Sequence, residues 1–243
     1  MKFDFPYTAR QKLLMEAPER IVWCGAGTKT GKSMALYCWL IEGLLNGEAG
    51  AFCGPWFFRS KAAFDSMKVL LKPFLISRAV RINEARLQFT MVNGGFIDFV
   101  SADNPNALFG ANYHRLVLDE ASRMKESIHS AALTTISATN GRLRLAFNLE
   151  LGQRNWAVKN LLRVQKLSEE ERRKSSETYM TFPTGGGDDG LVDPDLIATL
   201  KSQMPLALWE ALYLGIIPTS DCSLFRNLDA VFCGKELEAP VED

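Results

Sequence analysis

Ile21-Val-Trp-Cys-Gly25-Ala-Gly27-Thr-Lys-Thr-Gly31-Lys32-Ser33 decides how this chain is read. A mostly apolar run enters a small, glycine-rich turn. The turn ends in Gly-Lys-Ser and opens into an apolar helical pattern, Met34-Ala-Leu-Tyr-Cys-Trp-Leu-Ile41. Strand, loop and helix in this order form the context of a phosphate-binding loop. Successive backbone N–H groups of such a loop curl around an anion, and the positive end of the following helix points to the same place. Lys32 is expected to reach the β- and γ-phosphates of ATP, and the Ser33 hydroxyl to ligate Mg²⁺. Gly25, Ala26, Gly27, Thr28, Lys29, Thr30 and Gly31 are the candidate cradle. The pattern G-x-x-x-x-G-K-[ST] has glycine where this chain has Ala26. Alanine is tolerated there if φ is negative.

The second chemical element lies about 85 residues further on, at Arg115-Leu-Val-Leu-Asp119-Glu120. It reads as an apolar strand ending in two carboxylates. Ligands of parallel α/β sheets sit at the carboxyl ends of strands, so these carboxylates and the loop should face one pocket. Asp119 is expected to hold Mg²⁺, directly or through Ser33, and Glu120 to polarise the attacking water. A further strand, Arg142-Leu-Arg-Leu-Ala-Phe147, carries Asn148 at its tip. Its amide both donates and accepts, as a γ-phosphate sensor must; capping the next helix is the alternative role. Upstream, Tyr7 and Gln11 precede the first strand and are expected to hold a purine base. The bland alternative is a helix cap and a core contact.

Composition bounds the rest. The chain has 243 residues, 47% of them hydrophobic, with 28 basic and 28 acidic side chains and a net charge of zero. A folded α/β domain with a substantial core is expected, without a generally basic coat for nucleic acid. Cys24, Cys38, Cys53, Cys222 and Cys233 show no C-x-x-C spacing, so neither a zinc site nor a disulfide framework is expected, and a reducing compartment fits. The N-terminus lacks a signal-peptide pattern, and Met34–Leu45, interrupted by Glu42, is too short to span a bilayer.

Strands are expected at 49–54, 80–82, 86–92, 96–100 and 177–182. Asn93-Gly94-Gly95 marks a hairpin, an antiparallel element beside the parallel sheet. Helices are expected from Pro55 to Leu71, from Ser122 to about Thr139 and from Arg154 to Lys166, with a charged helix or turn at 168–174. Arg59 and Lys61, at the start of the first of these, read as solvated surface. Two short helices, Asp193 to about Met204 and Pro205 to Leu214, follow a Gly-rich hinge at 183–190. The expected organisation is a P-loop ATPase core at 1–182, a helical lid at 183–215, and a tail at 216–243.

Taken together these pieces resemble the ATPase domain of the large terminase subunit of tailed phages. The parts that carry the likeness are Tyr7 and Gln11, the loop at 25–33, Ala102-Asp-Asn-Pro to Phe109-Gly110, Leu116-Val-Leu-Asp119-Glu120-Ala121, Asn148 with Gly152-Gln-Arg-Asn-Trp156, Met180-Thr-Phe-Pro and Val192-Asp-Pro. The resemblance implies a RecA/ASCE-like fold and Mg²⁺-dependent ATP hydrolysis that drives double-stranded DNA into a procapsid. It implies Lys32, Ser33, Asp119 and Glu120 as the ATPase core, Asn148 as the coupling residue, and Gln11 and Tyr7 at adenine. The implied partners are DNA, the portal protein, the small terminase subunit and further copies in a ring on the portal. The protein would be monomeric alone, in the host cytoplasm and transiently docked on the procapsid. Relatives carry a loop arginine near position 28, where this chain has Thr28 and Lys29, and some carry one near the position of Phe109. The charge-stabilising arginine is thus unassigned among Arg115, Arg123, Arg142 and Arg144. Full-length relatives continue into a nuclease domain, and no nuclease activity is expected of this stretch.

Two other readings stand beside this one. The first core domain of a superfamily-2-like helicase shares a Gln and an Asp-Glu pair, but needs a second RecA-like domain. A non-hydrolysing nucleotide-binding scaffold has Ala26 as its direct support.

Overall fold

Eight strands form a single sheet in the order β3-β4-β5-β2-β6-β7-β1-β8. They are β1 (Ile21–Gly25), β2 (Ala49–Gly54), β3 (Val80–Asn83), β4 (Gln88–Met91), β5 (Phe96–Ser101), β6 (Arg115–Asp119), β7 (Arg142–Phe147) and β8 (Glu177–Met180). The computed structural model describes residues 5–104, 108, 110–184 and 193–218. From β5 to β8 every neighbouring pair is parallel. β7 lies between β6 and β1.

The helices are α1 (Ala9–Glu16), α2 (Lys32–Leu45), α3 (Phe57–Leu70), α4 (Lys72–Ile76), α5 (Ser127–Ser137), α6 (Trp156–Lys166), α7 (Glu169–Ser175), α8 (Pro194–Gln203) and α9 (Leu206–Trp209). Strand side chains alternate between two cores. Val22, Cys24, Phe52, Val117 and Ala146 point to one face, where α1, α2 and α3 pack. Trp23, Ala51, Cys53, Leu116, Leu118, Leu145 and Phe147 point to the other, covered by α5 and α6. Cys24, Cys38 and Cys53 are free and buried. Among the described residues no helix is long and apolar enough to cross a membrane.

The expected antiparallel element lies beside the parallel strands and extends the same sheet at its edge. β4 pairs antiparallel with β3 and β5, while β5 pairs parallel with β2. Gly94 takes φ 92° in the turn, and Asn93 secures the turn by donating to the Leu45 carbonyl at 2.9 Å. Phe64 of α3 stacks on Phe89 with centroids 4.6 Å apart and meets Phe99 edge-on at 5.3 Å. The edge strands therefore anchor α3, which begins just beyond the tip of β2.

Several element boundaries differ from expectation. Residues Ala121–Arg123 form a 3₁₀ turn before α5 begins. The expected helix from Pro205 to Leu214 is α9 followed by a π-helical turn, Glu210–Leu214. Carbonyls at a helix end lack intrahelical partners, and here one serves the loop after β1 and one the segment after β8: Leu212 O accepts from the Thr28 N–H at 2.6 Å, and Tyr213 O from the Thr184 N–H at 2.6 Å. α7 buries nothing and is closed by a Ser168–Glu171 capping box. Most of the expected hinge (185–190) and the tail from 219 lie outside the described residues.

Three of the four arginines considered for charge stabilisation stand elsewhere. Arg115 and Arg142 pair in register at the amino ends of β6 and β7, and Arg115 is ion-paired with Glu48. Arg144 is fully buried. Its guanidinium donates to the carbonyls of Ala17 at 2.6 Å and Glu19 at 2.9 Å and lies 4.9 Å from the Trp39 ring centroid. It ties the chain entering β1 to β7. Arg144→Met should leave those carbonyls unsatisfied and lower the unfolding free energy by about 2–4 kcal/mol. Urea denaturation would show this as a lower midpoint at unchanged slope.

Candidate nucleotide-binding site

The carboxyl ends of β1, β6 and β7 open into a cavity of about 450 Å³. It is lined by Thr28, Lys29, Thr30, Gly31, Lys32 and Ser33 of the loop, Asp119 and Glu120 of β6 and its tip, Asn148 beyond β7, and Arg59 of α3. Residues more than a hundred positions apart thus share one space.

The loop keeps its shape through backbone bonds. The Ala26 N–H donates to Phe147 O at 3.1 Å and the Gly27 N–H to Phe182 O at 2.8 Å. Ala26 is not among the residues with positive φ, which explains why alanine fits. The turn to left-handed backbone falls instead on Lys29 (φ 56°) and Gly31 (φ 79°). Gly27 is required for space: a Cβ there would lie 2.5 Å from Thr184 Oγ1 and 2.9 Å from Leu212 O. Gly31 starts α2, and no described side chain caps that helix. Its first N–H groups and its dipole suit an anion.

Lys32 donates to Gly27 O at 2.6 Å, Ala26 O at 3.1 Å and Asn148 Oδ1 at 3.1 Å. Burial pushes its ammonium below the usual lysine range, against the pull of nearby Asp119, Glu150 and Glu120. The Ser33 hydroxyl donates to Asp119 Oδ2 at 2.9 Å. Burial pushes the Asp119 carboxyl up to about 6; Ser33 and Lys32 oppose the rise and Glu120 adds to it. A hydroxyl beside a carboxylate is a hard-oxygen donor set that fits Mg²⁺, which takes one or two carboxylates together with phosphate oxygens. Glu120 sits in left-handed backbone at φ 58°. Its carboxylate is ion-paired with Arg59 and lies 3.6 Å from Arg123, which also bonds Glu150 at 2.7 Å.

Lys32, Ser33, Asp119, Glu120 and Asn148 come together as the sequence suggested. Asn148 is not the cap of α6; Asn155 is, accepting from the Ala157 N–H at 3.0 Å. Gln11 and Tyr7 do not line the cavity. Gln11 is buried, and its amide is taken up by a capping box with Thr8 and by a bond to Gly31 O at 3.2 Å. Tyr7 packs against Phe5 and the core under α2. Arg59, expected at the surface, belongs to the site. The signal for it was its place just beyond the carboxyl end of a strand.

The chain has the P-loop NTPase fold, with the loop after β1, two carboxylates and an asparagine at neighbouring strand tips. The chain has the fold of large terminase ATPase domains. It is similar to that of Thermus phage P74-26, with a TM-score of 0.70 and 18% identity over 88% of this chain and 94% of that one. The large terminase of bacteriophage HK97 superposes with a TM-score of 0.69 at 12% identity, covering 88% of this chain and 51% of that one. The large terminase of a thermophilic bacteriophage, in complex with ATP-γ-S, gives 0.67 at 14% identity over 87% and 53%. The chain therefore spans about half the length of these last two proteins. No protein-family model and no curated protein matches it in sequence.

The raised Asp119 carboxyl has a consequence for stability. The folded chain holds this proton to higher pH than an unfolded aspartate does. Its contribution is therefore complete below about pH 4 and lost as pH rises to about 6. In nucleotide- and magnesium-free buffer, the unfolding free energy of wild type minus that of Asp119→Asn should fall by about 2–3 kcal/mol between pH 4 and 6.5. A difference that stays flat across that window contradicts the assignment.

Proposed function

We propose that this chain is the ATPase domain of a terminase large subunit, hydrolysing ATP with Mg²⁺ to drive double-stranded viral DNA into a procapsid. The convergence of Lys32, Ser33, Asp119, Glu120 and Asn148 on one cavity carries this reading. The same cavity supports the division of labour. Loop N–H groups and Lys32 hold the β- and γ-phosphates. Ser33 and Asp119 hold the cation, which when bound neutralises phosphate charge. Glu120 accepts a proton from the attacking water. The water oxygen bonds to the γ-phosphorus, the bond from that phosphorus to the β–γ bridging oxygen breaks with its electron pair leaving on ADP, and phosphate departs. Asn148, bonded to Lys32, registers the loss of the γ-phosphate.

Residues 183–215 act as a lid in this proposal, supported by the bonds of Phe182, Thr184 and Leu212 to the loop. Gln11 and Tyr7 stand at the adenine end in this proposal: Gln11 lines a small cleft with Arg10, Thr30, Lys32 and Phe182, and its amide keeps one N–H and one lone pair for a base. The assembly is a ring of copies on the portal, in the host cytoplasm, served by the small subunit and holding DNA by its phosphates.

Glu120→Ala should keep ATP binding and lower turnover by at least about 100-fold, whereas Lys32→Ala should weaken binding itself. Phosphate release and binding of a fluorescent ATP analogue, measured on the chain alone and in the packaging assembly, separate the two. The reading fails if wild type releases no phosphate in either setting, or if Glu120→Ala turns over like wild type.

A further inference from the structure

We propose that Glu150, acting through Arg123, positions the catalytic base: the pair holds one oxygen of Glu120 back from the cavity, so that the other faces the attacking water. This deepens the ATPase reading and rests on it. Neither Glu150 nor Arg123 lines the cavity, so the pair acts on the reaction through Glu120.

Glu120 needs such a restraint. It follows β6 in left-handed backbone at φ 58°, and its side chain is 25% exposed. A carboxylate there turns among several rotamers unless a neighbour holds it. Its two oxygens are held differently. Oε1 meets Arg59, which lines the cavity, whereas Oε2 lies 3.6 Å from Nε of Arg123, which does not.

Arg123 is fixed at both ends. Its N–H donates to Glu120 O at 2.9 Å, in the 3₁₀ turn Ala121–Arg123. On either side of it, Ser122 O accepts from Asn155 Nδ2 at 2.7 Å and Met124 O from Trp156 Nε1 at 2.8 Å. At the far end, Nη2 donates to Glu150 Oε1 at 2.7 Å. The guanidinium is a rigid planar fork, so the bond that fixes Nη2 also fixes Nε beside Glu120.

Glu150 is the unexpected member of the group. Its side chain is 8% exposed, and its Oε2 is buried without a hydrogen-bond partner among the described residues. Buried polar atoms are ordinarily bonded, and each exception calls for a reason. Stability does not supply one, because apolar residues of similar size often replace a buried ion pair without loss. Location does. Glu150 stands two residues past Asn148, and its charge reaches the Lys32 ammonium along with those of Asp119 and Glu120. The Arg123 side chain is 42% exposed and would otherwise extend into water. An anion buried behind the cavity draws it back across Glu120.

The test uses the full chain, alone and in its packaging assembly. Glu150→Gln keeps the shape and removes the charge. It should lower kcat about 10- to 100-fold, with the KM for ATP and the Kd of a fluorescent ATP analogue changed by less than about threefold. In a Glu120→Ala background the same change should alter single-turnover phosphate release by less than about twofold, because no base is left to place. A role in folding alone would act equally in both backgrounds. Arg123→Met combined with Glu150→Met should resist urea at least as well as wild type and still be about 10- to 100-fold slow. The proposal is overturned if Glu150→Gln turns over like wild type, if it slows Glu120→Ala as much as it slows wild type, or if the paired methionine variant turns over like wild type. It is overturned as well if Arg123→Gln is far slower than Glu150→Gln and also loses affinity for ADP–fluoroaluminate, since the arginine would then itself touch the transferred phosphoryl group. Absence of turnover in wild type would instead strike the ATPase reading itself.

Discussion

The level ends of three parallel strands govern everything chemical in this chain. Gly25 is in register with Phe147, and Asp119 with Ala146, so the loop after β1, Asn148 after β7 and the carboxylates at the end of β6 leave the sheet at one height. A slip of one residue in β6 would turn Asp119 to the other face and break its hydrogen bond with Ser33. The apolar alternation that fills two cores therefore also fixes the distance between Asp119 and the loop after β1. Core packing and chemistry are specified by the same pattern.

Around that frame the charges are held in partial conflict. Lys32 and Asp119 are both penalised by burial, and each is eased by a bond within the site. Glu120 is contested by Arg59 and Arg123. A bound polyanion and a cation would relieve several of these tensions together. Opposed groups kept close but unneutralised are characteristic of sites built around an absent charge.

Local signals carried far into the fold. Gly31-Lys32-Ser33, the apolar run into Asp119-Glu120 and the Asn93-Gly94-Gly95 turn each have a mechanism confined to a few neighbours, and each was legible. Arg59 was read as surface despite its place beyond a strand end, because its position at the cavity depends on β2 lying next to β6, a pairing between segments some 60 residues apart. Arg144 was misread as a candidate for the opposite reason. A charged residue inside a strand invites a functional explanation, but here carbonyls at the chain's approach to β1 absorb it. Gln11 shows the weight of a local signal: Thr8-x-x-Gln11 is a capping-box pattern, and the helix-cap role read beside the adenine one is made by its amide oxygen.

The tie between the C-terminal segment and the phosphate loop is made chiefly by main-chain atoms. The Gly27 and Thr28 N–H groups meet the Phe182 and Leu212 carbonyls, and Thr184 adds a side-chain link to the Thr28 carbonyl. Main-chain contacts of this kind do not depend on which side chains the segment carries. Thr184 apart, side chains there can change while these main-chain bonds stay in place. Conservation of shape at 12–18% identity is what such insulation allows.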